Sequence, residues 1–149
     1  MKKFQFRLEK ILKHKTRLFE FARGAHAEAV AQLRKEEAKL ESLRKTYQQC
    51  LYDLARKTAN SFKVSELGPF YRYMTFTKKD IAVQSNIVYE AMEKETKCRQ
   101  ELMKAAQEKE VLVKLRERQQ KEHDYMINKE EQNFLDDIAA ARFAREKRS

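Results

Sequence analysis

An all-α fold, two long helices forming an antiparallel coiled-coil hairpin, is what this sequence predicts. Three observations carry the prediction. First, the 149 residues contain only two Gly and one Pro, where an ordinary globular domain has about 7% Gly and 5% Pro because its turns need them. Second, charged residues make up 38%, Trp is absent, and sixteen of the apolar residues are Ala. That supply of large side chains suits a narrow helical seam better than a compact core. Third, the strong helix formers Ala, Leu, Glu, Lys, Gln and Arg dominate.

The first helix is expected over about residues 4–60, which hold no Pro and one Gly. With Leu12 at heptad position a, the later a positions are Phe19, His26, Leu33, Leu40, Tyr47 and Leu54. The d positions are Leu8, Lys15, Ala22, Ala29, Glu36, Leu43 and Cys50. Leu, Phe, Tyr and Ala fill most of them, giving a coiled-coil seam with polar breaks. Gly24 falls at an outward f position, where it costs about 1 kcal/mol of helix propensity and disturbs no packing.

The connection is expected over about residues 61–69, the one stretch with turn chemistry. Asn60 and Ser61 can end the first helix, Ser65 or Gly68 can cap the second, and Pro69 suits a first helical turn. The second helix is then expected over about residues 70–146. Its seam runs through Met74, Ile81, Val88 and Leu102 at a, with Glu95 interrupting, and Ala91, Ala105 and Leu112 at d. Beyond Leu115 the register slips to Ile127, Phe134, Ile138 and Ala141, an offset that locally unwinds a supercoil.

One short connection between long helices makes an antiparallel hairpin, so residues 1–149 read as a single coiled-coil domain. Helix 1 would be about 85 Å long and helix 2 longer by roughly 20 residues. A turn centred near residue 65 puts Leu8 beside Glu122 and Cys50 beside residue 80, with residues past about 126 overhanging. Cys50 and Cys98 are then offset by about 27 Å along the axis, too far for a disulfide, which needs Cα atoms within about 7 Å. Free thiols fit a reducing compartment. The start MKKFQFRLEK lacks a signal peptide's apolar run, and no apolar stretch approaches the roughly 18 residues of a membrane span. The cytoplasm is the expected location, with no insertion into the membrane.

Several chemistries are not expected. Gly24 and Gly68 cannot build a phosphate-cradling loop. His14, His26 and His123 are dispersed and belong to no metal-ligand spacing. The carboxylates lie in mixed-charge helical runs without a concave pocket to shift their pKa values. The chain is therefore expected to be no enzyme and to hold no cofactor or metal.

Two surfaces could bind partners. The net charge is +10, and it is uneven. Lys2, Lys3, Arg7, Lys10, Lys13, Lys15 and Arg17 lie at one terminus, and Arg142, Arg145, Lys147 and Arg148 at the other. A hairpin brings both toward one end, as a solubilising run or a contact for an acidic or polar partner. Toward the turn lie Tyr47, Tyr52, Phe62, Phe70, Tyr71, Tyr73 and Phe76. Two helices cannot bury them all, so some either close the turn or mark an interface.

The opening Phe4-x-Phe6-Arg7-Leu8-Glu9-x-Ile11-Leu12 resembles the start of the FliJ family of the bacterial flagellar export apparatus. The stretches Glu108–Gln119 and Glu131–Ala139, the latter followed by Arg142-Phe143, resemble it too, and the likeness extends over the whole length. It implies an antiparallel coiled coil similar to the central stalk of rotary ATPases. Its partners would be the hexameric export ATPase, the membrane export gate and export chaperones, with peripheral association at the inner face of the cell membrane at the flagellar base. The positions matching the family's gate-binding patch are Leu40, Leu43, Tyr47, Phe70 and Tyr73. Where the family has a second Tyr one turn after the first, this chain has Leu51 with Tyr52 beside it. The basic groups Lys10, Lys13, Arg17, Arg142 and Arg145 would contact the ATPase ring. The chain is then a non-enzymatic stalk and adaptor, monomeric or weakly self-associating, with no nucleic acid expected. Two alternatives compete: a basic nucleic-acid-binding coiled coil, or the equivalent stalk of a virulence type III secretion system. A bZIP-like protein, however, dimerises parallel through one helix.

Overall fold

A computed structural model describes residues 3–60 and 63–148. It contains two helices, α1 (Glu9–Ala59) and α2 (Val64–Arg148). They pack against each other as an antiparallel hairpin that is 94% helical, with no strand among the described residues. Each helix carries acid in its first turn and base in its last, Glu9 with Arg56 and Lys57 in α1, Glu66 with Arg145, Lys147 and Arg148 in α2. Both patterns complement the helix macrodipole.

The start of each helix differs from the sequence expectation, while α1 ends at Ala59, close to the expected residue 60. α1 starts at Glu9, not near residue 4. Phe6 is buried and its carbonyl accepts the Glu9 N–H at 3.1 Å. α2 starts at Val64, where Phe70 was expected, and Glu66 N–H donates to the Lys63 carbonyl at 2.9 Å. Pro69 therefore lies inside α2. Its missing N–H forgoes the bond to the Ser65 carbonyl. Ser65 and Pro69 are both exposed, so that carbonyl faces solvent and the loss is small. Ser61 and Phe62, part of the expected turn and aromatic cluster, and the basic residue Lys2 lie outside the described residues.

The earlier turn shifts the facing register by about five to ten residues along the hairpin. Glu9 pairs with Arg116 at 3.6 Å, whereas Leu8 was expected beside Glu122. Cys50 shares a cleft with Phe70 and Tyr73, whereas it was expected beside residue 80. Both cysteines are free thiols.

By its packing the chain falls into two compact units, Met1–Phe19 with Lys104–Ser149, and Glu20–Met103. In the second, Ala29, Leu40, Cys50 and Val88 form the buried seam, interrupted by buried Glu36, Thr77 and Gln84. Gln84 Nε2 donates to Glu36 Oε2 at 2.6 Å and to the Glu36 carbonyl at 3.0 Å. Gln32 Nε2 donates to Glu36 Oε1 at 2.9 Å, and Thr77 returns its hydroxyl to the Tyr73 carbonyl at 2.8 Å. His26 Nε2 lies 3.0 Å from Glu95 Oε1. The bonds that cross between the helices, Gln84 to Glu36 and His26 to Glu95, fix a register, because a slip breaks them, whereas the bonds of Gln32 and Thr77 lie within one helix and are indifferent to it.

In the first unit, Phe6 and Leu12 are buried. Lys15 Nζ pairs with Glu108 at 3.0 Å, Lys109 Nζ sits 4.5 Å from the Phe19 ring centroid, and Phe4 lies 5.6 Å from the His123 ring. On α2, Ile127 is half-buried and residues 128–148 are all exposed. Phe134, Ile138 and Ala141 thus continue no seam with α1.

Candidate functional site

The aromatic surface belongs to the unit Glu20–Met103. Of the five residues matched to a gate-binding patch, Leu40 is buried at 8% exposure, Leu43, Tyr47 and Phe70 are half-buried, and Tyr73 is 52% exposed. Leu40 sits at an a position of the seam, so it supports the surface from beneath and offers a partner almost nothing. Cations lie over several rings. Lys57 Nζ is 5.3 Å from the Phe70 centroid, Lys78 Nζ 5.7 Å from Tyr47, and the Arg56 guanidinium 5.8 Å from Tyr52. Phe70 and Tyr73 border an open cleft of about 630 Å³ lined also by Lys45, Thr46, Gln49, Cys50, Asp53 and Pro69.

Sequence reasoning placed Phe76 in the aromatic cluster but missed the continuation of this surface along α2 to Val83 and Ile87. Phe76 is 66% exposed, Val83 53% and Ile87 38%. With Pro69, Tyr73 and Asp80, also exposed, they recur at alternating spacings of four and three residues, which places them on one face. The signal was present in the sequence. It was masked because the seam residues Met74, Thr77, Ile81, Gln84 and Val88 follow the same period one position later. Below this stripe, Tyr89 is exposed and its hydroxyl hydrogen-bonds the Glu93 carboxylate, which raises its pKa.

The basic surface belongs to the other unit. Lys10, Lys13 and Arg17 are exposed and, at spacings of three and four, share one face of α1. Lys13 and Arg17 border a shallow groove with Glu9, Leu12, Thr16, Lys109, Val113 and Arg116. Lys15, counted with them in the sequence, is only partly exposed and is engaged with Glu108, whose carboxyl it holds below its ordinary pKa by hydrogen bond and charge. Arg142 and Arg145 are exposed near the C-terminus of α2. The structure does not bring them beside the α1 cations. Glu9 is level with Arg116, and Arg142 lies some 26 residues farther along α2, about 40 Å at helical rise. Both basic groups thus lie toward one end, as the hairpin implies, with Arg142 and Arg145 on the part of α2 that outlasts α1.

Among the described residues no group of three or more His, Cys, Asp and Glu could hold a metal ion. Among them, too, no helix is long and apolar enough to cross a membrane.

Two long antiparallel helices with exposed Tyr73, Phe76, Val83 and Ile87 on one unit and exposed cations on the other define a two-helix coiled-coil protein. The chain belongs to the FliJ family: residues 4–148 match the family described as Flagellar FliJ protein. Membership makes it a component of the flagellar export apparatus. No curated protein and no solved structure matches the chain.

Proposed function

We propose that this chain is a non-enzymatic stalk and adaptor of the flagellar export apparatus, acting as one coiled-coil domain. It binds the hexameric export ATPase and promotes assembly of its ring, contacts the membrane export gate, and handles export chaperones from a cytoplasmic position at the flagellar base. The exposed stripe from Tyr73 through Phe76 to Val83 and Ile87 is the observation that carries this reading. Apolar side chains grouped along one exposed helix face, here interrupted by Asp80, are costly to leave in water and typically mark a protein interface. Tyr73 with the half-buried rings of Tyr47 and Phe70 forms its beginning, supported by Leu40 and Leu43. The cations Lys10, Lys13 and Arg17 supply one electrostatic contact for the ring, and Arg142 and Arg145 a second. Hydrolysis belongs to the partner.

The test is a pull-down of the export ATPase and gate on the purified chain, together with ATP turnover. Increased ATPase oligomerisation and turnover, with no hydrolysis by the chain alone, are the expected results. Unchanged turnover and oligomerisation would remove the stalk role. Gate binding that survives Tyr73→Ala with Phe76→Ala would remove the stripe as the gate contact.

A further inference from the structure

Beyond the last residues that face α1, α2 continues through a segment whose side chains from 128 to 148 are all exposed. From Ile127, half-buried just before this segment, Glu131, Phe134, Ile138, Ala141 and Arg145 follow at alternating spacings of four and three residues. That spacing places all six on one face of the helix. Phe134 is 65% exposed and Ile138 38%. The face has a polarity of its own: an acid, Glu131, precedes the apolar centre, and a base, Arg145, follows it.

We propose that this face pairs antiparallel with the same face of a second copy of the chain, about a two-fold axis at Ile138. In that register Ile138 meets the partner's Ile138. Phe134 meets the partner's Ala141, a large side chain against a small one. Glu131 meets the partner's Arg145. Two-fold symmetry makes each off-axis contact occur twice. Charge complementarity selects both occupant and orientation. A parallel pair would set Glu131 against the partner's Glu131 and Arg145 against the partner's Arg145, two like-charge contacts that disfavour it. The segment is already helical as part of α2, so pairing bears no nucleation cost. The seam spans only three heptads, close to the lower limit for a coiled coil, so the dimer is weak and forms at high concentration. This pairing does not rest on the ring and gate contacts proposed above; it occupies Arg145 in the free protein.

Sedimentation equilibrium of the full chain, from low micromolar to several hundred micromolar, tests it. The expected behaviour is a reversible monomer–dimer equilibrium. Glu131→Arg and Arg145→Glu should each weaken it by about tenfold, since each turns two attractive pairs into repulsive ones. The double variant E131R/R145E should restore it, because reversing both charges preserves complementarity only in the antiparallel arrangement. Circular dichroism should show unchanged helicity in all three. A chain that stays monomeric throughout, a dimer indifferent to the single reversals, or a double variant as weak as the singles would each overturn the proposal. Loss of helicity in a single variant would do the same, since these positions would then not form a free face.

Discussion

Gln84 on α2 clasps Glu36 on α1 twice, donating to its carboxylate at 2.6 Å and to its backbone carbonyl at 3.0 Å. Both side chains are buried, Glu36 at 6% exposure and Gln84 at 8%. A one-residue slip of α2 would break both bonds, leaving the Glu36 carboxylate with only its α1 partners Gln32 and Lys39 and the buried Gln84 amide without its acceptors. Gln84→Leu is therefore expected to destabilise the hairpin by about 1–3 kcal/mol, the cost of a buried polar group losing its partner. Replacing both residues by Leu is expected to recover most of that stability. Thermal unfolding of both singles and the double decides it. Additive losses would mean that the two residues do not act as a pair.

The Lys15–Glu108 pair gives a pH dependence with a definite sign. Lys15 holds the Glu108 carboxyl below its ordinary pKa. The pair's contribution is therefore fully present above the unfolded-state pKa of a glutamate and is lost as pH falls through the lower folded-state value. Both side chains are partly solvent-exposed, 31% and 40%, so the effect is small and screened by salt. In a carboxyl-resolved NMR titration, Lys15→Met should raise the Glu108 midpoint. An unchanged midpoint would show that the pair does not persist in solution.

Reversing Lys10, Lys13 and Arg17 to Glu is expected to weaken ATPase binding and leave the helix intact. All three are exposed, and surface substitutions of this kind change stability by about 0.5 kcal/mol or less each. Ring binding that survives at physiological salt would rule out electrostatic docking through this face, and collapsed helicity would make the charges structural.

Three truncations should rank in opposite orders for stability and for gate binding. Leu40→Ala removes a buried seam side chain and is expected to cost about 2–5 kcal/mol of folding. Tyr73→Ala removes a ring that is 52% exposed and should cost far less folding, with a binding loss of about 2 kcal/mol or more if it is a hot spot. Phe70→Ala, half-buried beneath Lys57, should fall between them. Melting temperature and gate affinity measured on each variant settle the order. A large drop in melting temperature for Tyr73→Ala would make that ring core.

The heptad written along α1 determined the fold. All fourteen of its a and d positions are buried or half-buried, because a period of 3.5 residues admits only one inward stripe on a helix. The near absence of Gly and Pro determined that there would be one connection and two long helices. The paucity of large apolar residues forecast a thin seam, and no side chain in it is fully buried. What the tertiary structure decided is register. Turn chemistry put the start of α2 at Phe70, yet it starts at Val64, because a proline near a solvent-facing helix start forgoes only one easily solvated hydrogen bond. The buried pair of Glu36 and Gln84 then fixes the alignment of the helices in its unit. Burial followed from that alignment. It set the depth of each side chain, Tyr47 and Phe70 half-buried and Tyr73 and Phe76 exposed, a gradation that heptad letters, which already put Leu40 and Met74 in the seam, do not supply. The length of α2 left without a facing helix was already legible, since the sequence put the overhang past about residue 126 and residues 128–148 are all exposed; that overhang carries Arg142 and Arg145 away from the cations of α1.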